Sequence, residues 1–185
     1  INNRFPFIKR SKAGLTASVS GDKLKQKREE SGYSLNALSK KIGVTSRMIT
    51  KYESGNSEVT INKAMKIYDL FGDKVFNEVN IFVKFDQPMG RFETEVSRKY
   101  VELGFEATET KQTPFDIISR KENELILTEV SDKVDPQMES LSKLLDADNL
   151  VIFDKKKPKN IPSMTKEEFM GFDKANELVK FLKEF

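Results

Sequence analysis

Gly43 separates two short segments whose apolar residues recur at helical spacing, and this junction limits the possible folds more than any other feature of the chain. Leu38 and Ile42 precede it on one helical face, and Ile49 and Tyr52 follow it on another. Glycine readily adopts the left-handed backbone that a tight turn between helices needs. The pattern therefore predicts two short helices that cross closely.

Capping signals place further helices around this pair, and two β-prone runs, 5–10 and 15–19, predict a hairpin upstream of them. We interpret residues 1–20 as this hairpin, the remnant of an upstream region. Residues 21–80 are predicted to form a four- or five-helix domain with these boundaries: Asp22 to Gly32, Ser34 to Gly43, Thr45 or Ser46 to Glu53, Thr60 as the cap of a helix that stops at Gly72, and a short helix near 74–78.

The pattern changes between residues 80 and 88, where we place a domain boundary. Residues 88–185 predict an α/β domain in the order αβββαβα. Its predicted elements are a helix over 92–103, strands over 105–110, 115–119 and 125–130, a helix over 137–145, a strand over 150–153 and a helix over 173–184.

Charge is unevenly distributed between the two halves. Residues 1–72 contain 14 Lys and Arg against 6 Asp and Glu, whereas residues 73–185 contain 18 against 23. A basic region of this kind is typical of nucleic-acid binding and also of an ordinary solvated surface. Cysteine and histidine are absent, which excludes thiol chemistry and removes the commonest general base.

The residues around Gly43 resemble the helix-turn-helix of the Cro and phage-repressor family. The Gly43-Val44-Thr45 turn and the Tyr52-Glu53-Ser54-Gly55 ending carry this resemblance, while Leu35 stands where many members have Gln. It implies double-stranded DNA as the partner, with a recognition helix over about 45–53 in the major groove. The alternative interpretation is a structural helical bundle with a solvated basic surface.

Eight polar residues are candidates for DNA contact. Arg47 suits guanine, Lys51 can reach a base or a phosphate, and Glu53 is assigned to a structural role because phosphate would repel it. Asn56 is a candidate from the resemblance alone. The complete set is Ser34, Asn36, Thr45, Ser46, Arg47, Thr50, Lys51 and Asn56.

The second half resembles the restriction-endonuclease-like fold, which implies a metal-dependent nuclease if its catalytic groups are present. Asp116 and Glu129 match the strand carboxylates, and Glu93 or Glu95 matches a helix carboxylate. The expected lysine position is occupied by Ser131, and Lys133, two residues further along the same predicted strand face, is the nearby substitute. The alternative is that these are capping or surface carboxylates on a fold without catalysis.

Taken whole, the chain resembles a family of archaeal regulators with a Cro-like domain followed by an α/β domain. We therefore expect a DNA-binding transcriptional regulator rather than an enzyme, acting as a homodimer, without cofactor or metal, and with an unknown effector possible. Since no run approaches the roughly 18 apolar residues of a membrane helix, we also expect a cytoplasmic protein. The alternatives are a nuclease targeted by the helix-turn-helix and a protein-interaction or antitoxin-like module. The first residue, Ile1, suggests a piece of a longer protein and leaves room for a further domain upstream.

Overall fold

A computed structural model of the chain describes residues 5–6, 8–11, 14–79, 94–110 and 113–185. The chain divides into two compact units, one within Asn2–Lys84 and the other within Phe85–Phe185. No helix in the described ranges is long and apolar enough to cross a membrane.

Four α-helices form most of the first unit, as the capping pattern predicts. They are α1 (Gly21–Glu30), α2 (Leu35–Ile42), α3 (Ser46–Glu53) and α4 (Ile61–Phe71). The predicted fifth helix is a single 3-10 turn, Asp73–Val75. Their shared core contains the fully or almost fully buried side chains of Leu24, Leu38, Ile42, Ile49, Tyr52, Ile61, Ala64 and Ile67.

The described residues of the same unit also form five short strands: β1 (Phe5–Pro6), β2 (Ile8–Ser11), β3 (Gly14–Ala17), β4 (Val59–Thr60) and β5 (Glu78–Val79). Strands β2 and β3 form the predicted antiparallel hairpin. β3 also pairs with β4, so the hairpin shares a three-stranded sheet with a strand from the helical region. β1 and β5 form a separate two-stranded sheet.

Thr60 differs from its predicted role as a side-chain cap of α4. It ends β4, where it lies opposite Thr16, and its side chain makes no capping hydrogen bond. A pairing between residues this far apart in the sequence has no local signal, whereas a threonine before a helical pattern does.

The second unit is a five-stranded mixed sheet with helices. Its elements are α5 (Glu95–Glu102), β6 (Glu106–Glu109), β7 (Ile117–Lys121), β8 (Glu124–Val130), α6 (Met138–Leu145), β9 (Asp148–Phe153), β10 (Ser163–Thr165), α7 (Lys166–Met170) and α8 (Ala175–Lys183). The sheet order is β10-β9-β8-β7-β6. Strands β6, β7 and β8 are antiparallel, and β9 runs parallel to both β8 and β10.

The predicted order αβββαβα is correct for its first six elements and incomplete after them. Strand β10 and helix α7 lie between β9 and the final helix, in a stretch to which the sequence prediction assigns no element. A strand of three residues is too short to show alternation. Helix α7, however, begins at a capping box formed by Thr165 and Glu168, a signal that the sequence contains.

Tyr100 lies at the centre of the second core. Its ring packs against Phe105 and Phe169, with centroids 5.5 Å and 4.9 Å away. Its hydroxyl lies 2.6 Å from the Thr128 hydroxyl on β8, so the buried polar end of the ring has a partner. This contact joins α5 to one face of the sheet.

Gly21, the first residue of α1, lies directly against the end of α3. A Cβ atom at this position would overlap the Glu53 carbonyl group and lie 3.0 Å from the Tyr52 carbonyl oxygen. We expect Gly21→Ala to destabilise the first unit by about 2 kcal/mol, because backbone atoms cannot rotate away from the added methyl group. Amide hydrogen exchange in α1 and α3 measures the loss.

Gly32→Ala is the matched control, since residue 32 has a positive φ but no atom within 4 Å of an added Cβ. It should lose only about 1 kcal/mol, the cost of a left-handed alanine. Equal losses for the two variants would contradict the close approach of α1 and α3.

Candidate nucleic-acid interface

Helices α2 and α3 are each held at their start by a side-chain cap. The Ser34 hydroxyl oxygen accepts a hydrogen bond from the Ala37 amide at 3.1 Å, and the Thr45 hydroxyl oxygen accepts one from the Met48 amide at 3.2 Å. Both caps occur where the sequence predicts them. Each satisfies an amide that would otherwise have no partner in the first helical turn.

The turn between the two helices depends on Gly43, whose φ is 77°. The amides of Gly43 and Val44 both donate to the Ser39 carbonyl, at 2.8 Å and 2.9 Å. The Gly43 carbonyl accepts a hydrogen bond of 2.9 Å from the Lys63 ammonium group of α4. The left-handed turn predicted from the glycine is confirmed, whereas the supporting role of Lys63 has no signal in the local sequence.

Helix α3 has two distinct faces. Ile49 and Tyr52 are buried in the core, while Arg47, Thr50 and Lys51 are exposed. This is the division that the helical spacing of its residues predicts. The exposed side chains project from a helix whose buried stripe fixes its rotation about its own axis.

The other candidate residues surround this exposed face. Ser34, Asn36, Thr45 and Asn56 are exposed, and Ser46 is half-buried with its hydroxyl 3.4 Å from that of Ser39. The Asn56 amide group donates to the Ser54 hydroxyl at 2.9 Å. Their contacts with DNA remain predictions.

Glu53 is held inside the domain by Arg28. The guanidinium donates to both carboxylate oxygens, at 2.5 Å and 3.1 Å, and each side chain is only 10% exposed. Arg28 also donates to the Tyr33 carbonyl at 3.0 Å. Hydrogen bonding to Glu53 raises the pKa of Arg28. The structural role expected for Glu53 is confirmed.

Sequence reasoning missed Arg28 as its partner. The signal was present, because Arg28 follows the buried Leu24 by one helical turn and so lies on the same face of α1.

The carboxylates of the nuclease hypothesis lie at one end of the second sheet. Asp116 is exposed immediately before β7, and its carboxylate accepts a hydrogen bond of 2.7 Å from the Val130 amide. Glu129 lies on β8 as predicted, is 9% exposed and accepts a hydrogen bond of 3.1 Å from the Asp135 amide. Burial, with the nearby charges of Asp135 and Asp116, raises the pKa of Glu129 to about 7.

Lys133 does not occupy the strand position expected of it. Strand β8 ends at Val130, and Lys133 lies in the bend that follows, where its amide donates to the Ser131 hydroxyl at 3.0 Å. The prediction of a shared strand face is wrong because the chain leaves the sheet before this residue.

The helix carboxylates complete the comparison with a nuclease. Glu95 pairs with Lys166 at 2.5 Å, which lowers the pKa of Glu95, and Glu93 lies outside the described residues. Within the described ranges, no group of three or more acidic side chains is placed to hold a metal ion.

A cavity of about 630 Å³ lies beside these groups in the second unit. Its lining includes Arg98 and Lys166 together with Glu95, Glu109 and Asp116, so both signs of charge face it. Glu109 accepts hydrogen bonds of 2.9 Å from the amide and the hydroxyl of Thr94, the residue that caps α5.

Residues 24–72 match the family model described as helix-turn-helix. With the capped helices and the left-handed turn, this defines the first unit as a helix-turn-helix domain of the Cro/C1 type. The match extends from α1 to the residue that ends α4.

Over most of its length the chain is similar to archaeal proteins named "Putative HTH-type transcriptional regulatory protein". It is 23% identical to one from Pyrococcus furiosus over 97% of this chain and 63% of the relative, and 26% identical to one from Methanocaldococcus jannaschii over 96% and 63%. A relative from Pyrococcus abyssi is 31% identical over 69% of this chain and 43% of its own length.

The resemblance to archaeal helix-turn-helix regulators is thereby confirmed. The chain spans about 63% of the length of the first curated relatives it matches. No solved structure matches it, and the restriction-endonuclease-like assignment stays a prediction.

Removal of Arg28 should destabilise the helix-turn-helix domain, because Glu53 would be left as a buried carboxylate without a partner. We expect Arg28→Met to lose about 3 kcal/mol, and Arg28→Met with Glu53→Leu to recover most of it. Local unfolding free energies from amide hydrogen exchange in α1 and α3 test this. Lys27→Met, which removes only the exposed pair with Glu30, should lose less than about 1 kcal/mol.

Glu129→Gln should change how the stability of the second unit depends on pH. A raised pKa in the folded state means that the stability contributed by Glu129 is complete below its ordinary pKa and is lost as the pH rises through about 7. Near pH 8 the variant should therefore be more stable than the wild type by about 2 kcal/mol, with little difference near pH 4. Urea unfolding followed by circular dichroism measures this.

Glu139→Gln is the control, because Glu139 is exposed and pairs with Lys143, which lowers its pKa. It should not produce the same gain at high pH. The raised pKa of Glu129 would be contradicted if the free energy of unfolding of the wild type did not fall, relative to that of Glu129→Gln, between pH 4 and pH 8.

Proposed function

We propose that the protein is a sequence-specific DNA-binding transcriptional regulator that inserts α3 into the major groove. The observation that carries this proposal is the exposed face of α3, where Arg47, Thr50 and Lys51 lie opposite the buried Ile49 and Tyr52. The names of the archaeal relatives and the net charge of +8 over residues 1–72 support it.

Each exposed group has a contact that its chemistry favours. Arg47 offers a planar fork for the two acceptors of guanine, and Lys51 is a mobile cation for a base or a phosphate. Thr50 is exposed and donates its hydroxyl hydrogen to the Ser46 carbonyl at 3.2 Å, and its methyl group suits contact with a thymine methyl.

Phosphate contacts come from the edges of this face. Ser34 and Asn36 lie at the start of α2, where the free amides and the helix dipole favour an anion. Thr45 precedes α3, Ser46 begins it and Asn56 lies shortly after its end.

We expect a homodimer because the DNA-binding domain has only one short recognition helix. One eight-residue recognition helix contacts too few base pairs for useful specificity. Two copies related by a two-fold axis would read half-sites one helical turn apart, and their affinity would fall steeply with salt.

For the second unit we propose dimerisation or effector sensing, on a fold like that of restriction endonucleases but without catalysis. The charged cavity near Asp116 is the place for an effector. The displaced Lys133 and the hydrogen bond from the Val130 amide to Asp116 both favour a regulator over a metal-dependent nuclease.

Arg47→Ala should abolish sequence preference. We expect selection from a randomised duplex library to enrich a two-fold symmetric motif with the wild type, and the variant to bind that motif about 10–100 times more weakly. Sequencing of the bound pool and titration of the selected duplex measure both effects. Lys74→Ala, an equal loss of charge on the exposed 3-10 turn, is the control and should keep the motif.

Three results would redirect the proposal. If the wild type enriches no motif, the protein is not a sequence-specific regulator. If it instead binds a protein partner tightly, the interaction-module alternative is favoured. Cleavage of the selected duplex with Mn²⁺, lost in Asp116→Ala, would favour the nuclease.

A further inference from the structure

The loop between β9 and β10 is a concentrated positive patch in an acidic part of the chain. We call residues 154–160 the lysine loop. Lys155, Lys156, Lys157 and Lys159 lie within it, and all four are exposed. Residues 73–185 as a whole contain 18 basic against 23 acidic side chains, so this loop runs against the charge of its surroundings.

Asp132 holds the backbone of the lysine loop in place. One of its carboxylate oxygens accepts hydrogen bonds from the amides of Asp154, Lys155 and Lys156, at 2.8, 2.9 and 3.3 Å. These bonds lower the pKa of Asp132, so its carboxylate stays ionised. Pro158 restricts the backbone further along. The loop is therefore fixed at both its start and its middle.

The lysines of the loop differ from most others in the second unit. Lys143, Lys166, Lys180 and Lys183 each lie within 4.0 Å of a carboxylate oxygen. In the described ranges, the four loop lysines form no such salt bridge. With four lysines against the single carboxylate of Asp154, the loop has a net charge of +3, and the nearby Asp132 attracts Lys155.

We propose that the lysine loop is a second DNA contact, which binds the phosphates of double-stranded DNA without reading bases. Closely spaced, hydrated ammonium groups suit a regular row of phosphates. The loop contains no aromatic side chain on which an unpaired base could stack, which favours duplex over single-stranded nucleic acid. This inference rests on the proposed function for the choice of site, since α3 selects the sequence and the loop holds the backbone.

A phosphate contact of this kind adds affinity without adding specificity. Each neutralised phosphate steepens the fall of log K with log[salt] by about 0.9. Because the loop and α3 are parts of one chain, their contacts add on any duplex that both can reach. The loop therefore strengthens binding to selected and unrelated sequences by the same factor.

The test compares two triple variants of the full chain that lose the same charge in the same unit. The loop variant is Lys155→Gln, Lys156→Gln and Lys157→Gln, and the control is Lys143→Gln, Lys174→Gln and Lys180→Gln, all of them exposed. The probe is a random-sequence duplex of about 40 base pairs, several helical turns long, titrated over a range of salt concentrations.

We expect the loop variant to bind about tenfold more weakly, with a salt slope smaller by about 2, and the control to stay within about threefold of the wild type. Replacement of the same three lysines by Arg should restore the wild-type slope. Equal slopes for the loop and control variants would overturn the proposal, as would a wild type that does not bind the random duplex.

Failure of the loop contact and failure of the proposed function give different results in these measurements. Loss of affinity in the loop variant with an unchanged ratio between selected and random duplex supports the inference. If the loop variant loses affinity but the wild type enriches no motif, the loop contact is supported and sequence-specific regulation is rejected. Unchanged DNA affinity in the loop variant, with lost affinity for an acidic peptide, would assign the loop to a protein partner and overturn the DNA contact.

Discussion

The buried pair of Arg28 and Glu53 is the interaction on which the helix-turn-helix domain depends. Through it, α1 is joined to the last residue of α3, and the bond from Arg28 to the Tyr33 carbonyl joins both to the turn before α2. Both side chains are only 10% exposed, so removal of either one would leave a nearly buried charge without its main partner. The end of the recognition helix is thus held by a largely buried contact that does not involve its exposed residues.

Helices α2 and α3, of eight residues each, are too short to be stable alone. They persist because caps at Ser34 and Thr45 satisfy their first amides and because Ile42, Ile49 and Tyr52 bury their apolar faces in a common core. Their rigidity is therefore a property of the whole domain. A contact surface built in this way is preorganised, which lowers the entropy that DNA binding would have to overcome.

Local features were predictable from the sequence, and long-range ones were not. The caps, the left-handed Gly43 and the exposed face of α3 follow from residue type and helical spacing alone. The pairing of β3 with β4 and the bond from Lys63 to the Gly43 carbonyl join distant segments. The position of Lys133 was misjudged for a related reason, since the point where a chain leaves a sheet depends on its neighbouring strands.

In both units, a carboxylate close to exposed basic side chains binds another group of its own unit instead of pairing with them. Glu53 is neutralised by Arg28 and so does not compensate the charges of Arg47 and Lys51 on the same helix. Asp132 binds three backbone amides and so fixes a lysine-rich loop rather than pairing with its ammonium groups. Because each of these carboxylates is held by hydrogen bonds to other groups of its own unit, positive charge on the α3 surface and on the lysine loop stays available for an external anion.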